Sequence, residues 1–187
     1  TFRDVDGNMT DDGKAELLAL SPTGLVPVLE FDGIKIWESL AILETLAERH
    51  PERGMWPADP RARAIARSVS AEMHAGFGAL RGDMQMDFAR VHPARELSED
   101  VIRDISRIVE VWRWLRNVHG SAGAFLFGNP SLADVMYAPV ASRFRTYSVD
   151  LKRFGDDGLG DEYAATLLGL PQLQQWADGA QSEIHAA

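Results

Sequence analysis

The sequence predicts a two-part fold, a mixed α/β segment followed by an all-helical one. Three observations carry that expectation. Thr1 to His50 mixes short apolar runs with helical spacing, and everything from Arg61 onward shows helical spacing only. Between them, His50-Pro51-Glu52-Arg53-Gly54-Met55-Trp56-Pro57-Ala58-Asp59-Pro60 carries prolines and a glycine that forbid regular structure. The expected domains are therefore 1–50 and 61–187, with 51–60 as linker. The chain has 187 residues, 45% of them hydrophobic, which is enough to build one large core or two small ones.

In the first part, Thr1 to Val5 reads as a short strand or the frayed end of one. Asp11 to Leu20 has helical spacing and stops before Pro22. Val26 to Phe31 is a short run rich in Val and Leu and reads as a buried strand. Asp32-Gly33 is a two-residue hairpin signal, after which Ile34-Lys35-Ile36-Trp37 pairs back. Ser39 is placed to cap a helix over Leu40–Arg49. A two-stranded hairpin is marginal by itself, so this sheet needs further strands, and they are expected before Thr1.

In the second part, Ala62, Ile65, Val69, Met73, Gly76, Phe77 and Leu80 fall on one face of a single predicted helix. Ser98 caps the next helix, with Glu99 and Asp100 in its first turn and Ile102, Ile105, Val109, Trp112 and Leu115 as its apolar face. Ser131 and Asp134 have capping-box spacing and open a third helix. The last helix starts at Pro171 and is expected to bury Leu173 and Trp176.

Composition narrows the function classes. The formal net charge is −9, which repels phosphate backbones and anionic lipid, so neither nucleic acid nor membrane is an expected partner. Cysteine is absent, which removes disulfide scaffolds, thiolate zinc sites and cysteine nucleophiles from these residues. The five histidines show no helical zinc spacing, so no metal is expected. No apolar run approaches membrane-spanning length and Thr1-Phe2-Arg3-Asp4 is unlike a signal peptide, so the chain reads as cytoplasmic.

Four features, in order, resemble the glutathione S-transferase family. They are Ser21-Pro22-Thr23-Gly24-Leu25-Val26-Pro27-Val28-Leu29, the run from Trp37-Glu38-Ser39 into a helix, Gly128-Asn129-Pro130-Ser131-Leu132-Ala133-Asp134, and the closing Leu170-Pro171-Gln172-Leu173 to Trp176. The resemblance implies a thioredoxin-like domain, incomplete at its N-terminus here, followed by an all-helical bundle. It implies a cis bond at Val26-Pro27, so that Val26 offers its N–H and C=O to the cysteinyl backbone of glutathione, like an added strand. The plain alternative is that Pro27 only starts an edge strand. Ser39 is a favoured helix cap in any protein, and the family adds to that role a grip on the γ-glutamyl carboxylate at a helix N-terminus. Glu38 would face the γ-glutamyl ammonium.

The same resemblance places the thiol-activating Tyr, Ser or Cys before Thr1, so no catalytic residue is assigned within the chain, which is expected to be incomplete. Glutathione is the implied co-substrate and a small hydrophobic electrophile or a peroxide its partner. His74, Phe77 and Arg81 are the pocket candidates, although Met73 and Phe77 also sit on the apolar stripe of a core-facing helix. The segments Met73-His74-Ala75-Gly76-Phe77 and Ser142-Arg143-Phe144-Arg145-Thr146-Tyr147 resemble bacterial members related to the zeta class. Leu25 departs from zeta relatives, which carry a polar residue there. A homodimer is implied, with Arg61 to Leu80 at its interface and Glu72 reaching the partner's glutathione site. The expected activity is glutathione transfer. The alternatives are a glutathione-dependent isomerase of the zeta type, in which the thiol adds and leaves again, and a binding protein that kept the fold without the chemistry.

Overall fold

A computed structural model describes residues 10–120 and 123–186. It divides the chain into two compact units, Thr1–Arg53 and Gly54–Ala187. The short strand expected at Thr1 to Val5 lies outside the described residues.

In the first unit, helix α1 spans Asp11–Leu20, capped by Thr10, whose hydroxyl accepts the Gly13 N–H at 2.9 Å. Asp11 and Asp12 in its first turn suit the positive end of the helix dipole. Its last turn has no basic residue, and Lys35 supplies one from outside, donating to Ala19 O at 2.7 Å. Strands β1 (Val28–Phe31) and β2 (Ile34–Trp37) pair antiparallel, Val28 opposite Trp37 and Phe31 opposite Ile34. The turn has φ of +49° at Asp32 and +78° at Gly33, both positive, as a tight hairpin with right-handed strand twist requires. β1 is shorter than the expected Val26–Phe31 run, and its apolar residues are half-buried, not buried. Each strand has one neighbour in the described ribbon, which leaves much of its surface uncovered. Helix α2 (Ser39–Arg49) follows. Arg49 pairs with Asp32 at 3.2 Å and lies 4.1 Å over the Phe31 ring, tying the helix end to the hairpin tip.

In the second unit, Pro60 occupies the first helical position of α3 (Pro60–Ala75), capped by Asp59. The single helix expected from Arg61 to Leu80 is broken: α3 ends at Ala75 and α4 covers Gly78–Asp83. Gly76 leaves the helical region, where a Cβ would sit 2.6 Å from Glu72 O, and Phe77 turns to φ +55°. No side chain of its own caps α4; Asp104 accepts the Leu80 N–H at 2.9 Å instead. Asp104 belongs to α5 (Glu99–His119), whose buried face is Val101, Ile105, Ile108, Val109, Val111, Trp112 and Leu115. Ile102, expected on that face, is 42% exposed, because the stripe runs through Val101 and turns Ile102 outward.

Ser131 opens α6 (Leu132–Thr146), as its spacing predicts. A helix the sequence did not signal, α7 (Leu159–Leu168), starts behind two glycines. The buried Asp156 carboxylate accepts the Gly158, Gly160 and Asp161 N–H groups there, taking the place of a cap. The last helix, α8, spans Pro171–Ala186. Trp176, expected in the core, is 52% exposed and stacks on Phe88 at 4.6 Å. The core centres on Trp112, fully buried, with Tyr163, Phe144 and Tyr137 edge-on at 4.9, 5.5 and 5.7 Å. Among the described residues no helix is long and apolar enough to cross a membrane.

Candidate functional site

The loop from Ser21 to Pro27 is built on one buried hydroxyl. Ser21 is 1% exposed; its N–H closes α1 on Leu17 O, and its Oγ lies 3.3 Å from both the Thr23 and the Leu25 N–H. Gly24 turns the chain at φ +67°, donating to Ser21 O at 3.1 Å. The Val26-Pro27 bond is cis. Val26 is 73% exposed, and among the described residues its backbone meets no other backbone group. One step beyond the Val28–Trp37 pair, Pro27 and Glu38 leave the ladder together, so the hairpin brings Val26-Pro27 and Glu38-Ser39 to the same open end.

Glu38 takes φ +70°, ψ 126°, a conformation that L side chains rarely adopt. This is the position that caps α2, and its side chain makes no capping hydrogen bond to the helix. Ser39 is therefore not the cap but the first helical residue, half-buried beside the helix's unpaired N–H groups. The sequence carries no signal for the Glu38 backbone, because glutamate is not a residue of such turns. A direct check separates backbone from side chain: Glu38→Gly should be more stable than Glu38→Ala by about 1–2 kcal/mol in denaturant unfolding, since only glycine adopts this φ without cost. Equal stabilities would mean that the backbone relaxes without penalty.

The pocket candidates lie in the helical unit. His74 is half-buried in the last turn of α3, and the exposed Arg81 donates to its carbonyl at 2.9 Å, across the helix break. Phe77 and Met73 are each 7% exposed, so both are buried, as their stripe position indicates. Glu72, expected to reach a partner's site, is held within its own chain. Arg107 donates to its two oxygens at 2.7 and 3.2 Å, and these bonds together with Glu110 raise the guanidinium's pKa. Among the described residues no cluster of His, Asp and Glu is arranged to hold a metal ion.

The segment Ser142 to Ser148 has a role that spacing alone did not give. It buckles the loop after α4 onto the end of α6, side chain to main chain. Arg143 Nε donates to Met84 O at 2.8 Å, Tyr147 to Gln85 O at 3.1 Å, Thr146 to Asp87 O at 2.7 Å and Ser148 to His92 O at 2.7 Å. Arg145 donates to Phe88 O and lies 5.3 Å over the Phe88 ring. Burial, and then the nearby Arg81, lowers the Arg143 pKa. Between this loop and α8 is an open depression lined by Met86, Phe88, Arg90, Ala180 and Glu183.

The chain is thus a hairpin that meets a helix N-terminus at a Val-Pro edge, followed in sequence by an all-helical unit. Residues 1–54 match the glutathione S-transferase N-terminal domain and residues 85–179 the glutathione S-transferase C-terminal domain. The chain belongs to the glutathione S-transferase family. It is 32% identical over 147 residues to a maleylacetoacetate isomerase of Rhizobium meliloti (strain 1021), a stretch that spans 73% of this chain and 65% of that protein. Among solved structures, a maleyl pyruvate isomerase described as a bacterial zeta-class glutathione S-transferase superposes with a TM-score of 0.65 at 27% identity, covering 90% of this chain and 82% of that one. A glutathione transferase homologue from Burkholderia, solved with bound glutathione, shares the fold with a TM-score of 0.65 at 22% identity, over 90% of this chain and 80% of that one.

Proposed function

We propose that the protein is a glutathione-dependent isomerase of the zeta type, acting on a small oxo acid with a cis carbon–carbon double bond. The carrying observation is the 32% identity to a maleylacetoacetate isomerase over 73% of the chain. Bound glutathione would supply the thiol that adds to such a bond and leaves again. The chain's own part in this reading is to hold the tripeptide. The Val26 N–H and C=O pair with its cysteinyl backbone beside Pro27, Ser39 and the α2 N-terminus grip the γ-glutamyl carboxylate, and Glu38 faces the ammonium. The residues fit that ligand chemically, because a strand edge with open main-chain groups and a helix N-terminus with a serine hydroxyl stand at one end of the hairpin. His74 and Arg81 are the polar candidates for the second substrate, with Phe77 as apolar wall behind them. A homodimer belongs to the same reading and is checked by sedimentation.

The second reading is transfer of glutathione to a small hydrophobic electrophile. It is favoured by Leu25, apolar and 64% exposed, where zeta relatives carry a polar contact to glutathione. One assay separates the two. Isomerisation of a maleyl oxo acid that requires glutathione without consuming it supports the first; stoichiometric loss of glutathione thiol with an aryl or alkyl halide supports the second. Folded protein that binds glutathione and does neither is a binding module on this fold, and both enzymatic readings then fail.

A further inference from the structure

We infer that Ser21 is a positioning residue for glutathione, its buried hydroxyl fixing the backbone that presents Val26. The inference rests on the binding edge proposed above and names a residue that edge does not include. Packing does not hold this stretch, for Leu25 is 64% and Val26 73% exposed. Main-chain pairing does not hold it either, because the ladder begins only at Val28. What holds it, among the described residues, is Ser21. Its Oγ lies 3.3 Å from the Leu25 N–H and 3.3 Å from the Thr23 N–H, and 3.1 Å from Thr23 Oγ1.

Ser21 is itself rigidly placed. It is 1% exposed and its N–H donates to Leu17 O at 2.7 Å, so it continues α1 through the buried Leu17. Gly24 makes the turn around this hydroxyl, and a Cβ there would meet Leu18 Cδ2 at 3.1 Å. A rigid helix end thus passes its position to an otherwise unsupported edge through one side-chain oxygen. A ligand that adds to an edge as a strand binds more tightly when that edge is ordered beforehand, since the ordering cost is not charged to binding. The hydroxyl touches no ligand in this arrangement; it acts through the Leu25 and Val26 backbone.

The test is glutathione affinity by calorimetric titration, well below the melting temperature, on wild type, Ser21→Ala and Thr10→Ala. Loss of the hydroxyl is expected to weaken glutathione binding about tenfold, in line with one lost hydrogen bond of typical strength. Amide exchange at Leu25 should accelerate in the same variant while exchange in α5 is unchanged. Thr10→Ala removes the cap at the far end of α1, lowering the melting temperature while leaving affinity within about twofold. Ser21→Cys, close in volume but a weak acceptor, replaces the alanine variant if that one does not fold. Wild-type affinity in Ser21→Ala, or an equal loss in Thr10→Ala, overturns the inference and leaves the edge itself standing. Wild type that is folded and does not bind glutathione overturns the edge, and this inference with it.

Discussion

Replacing Asp134 with alanine is expected to destabilise the helical unit by about 4 kcal/mol. The carboxylate is 3% exposed and collects four donors. The Ser131 N–H lies at 2.7 Å, Ser131 Oγ at 3.0 Å, the Leu126 N–H at 3.1 Å and the Tyr163 hydroxyl at 2.9 Å. Alanine leaves these donors without their acceptor in a water-poor interior, and each unmet buried group costs about 1–3 kcal/mol. The bonds also join three elements: the loop before α6, the α6 N-terminus and α7. Urea unfolding followed by near-ultraviolet circular dichroism measures the loss; a change under about 1 kcal/mol would show that water replaces the carboxylate at little cost.

Asp134→Asn tests the charge separately. Burial, opposed by the four hydrogen bonds, raises the Asp134 pKa above 3.8. The folded chain therefore holds this proton more tightly than the unfolded chain. The stability it contributes is complete below 3.8 and is lost as pH rises through the folded value. The stability difference between wild type and Asp134→Asn should accordingly shift in favour of Asn with rising pH across that window and stay flat above it. A difference that moves the other way would mean that the hydrogen bonds outweigh burial.

The second large effect falls on binding. Ser39→Ala is expected to weaken glutathione binding about 10- to 100-fold, because a hydrogen bond to a charged group is worth about 1.5–3 kcal/mol. Stability should barely change, since Ser39 is the first helical residue and not the cap, and is only half-buried. Ser131→Ala supplies the counterpart: it should lower stability through the capping box and leave glutathione affinity alone. A Ser39→Ala variant that binds as wild type would remove this hydroxyl from the site.

What the sequence makes legible is short-range. Asp32-Gly33 announces its hairpin because the two residues that need positive φ are themselves the signal. Ser131 and Asp134 announce a capping box because the partners are three residues apart. The edge proposed to hold glutathione is readable for a related reason: its two halves are short runs joined by one hairpin, so register alone brings them together. Other features depend on partners far away in the chain. Asp104 caps a helix 24 residues earlier and Arg107 occupies Glu72 from 35 residues away, and neither leaves a local pattern. The break at Phe77 is hidden because a bulky aromatic residue rarely adopts positive φ, so the apolar stripe reads through it as continuous helix. Likewise α7 is hidden because its cap, Asp156, stands two residues before a glycine start. Hence the break that separates His74 from Arg81 could not be read from sequence.

The buckle between Ser142–Ser148 and the loop after α4 fastens mostly to main-chain carbonyls. Such a fastening leaves free those loop side chains that take no other part in it. Gln85, whose side chain is exposed, can be exchanged while its carbonyl stays in place, whereas Phe88 is buried against Trp176 and Arg145 and His92 stacks on Tyr147. At its exposed positions the loop thus separates the hardware that fixes it from the chemistry it displays, and a new specificity there would need no new scaffold.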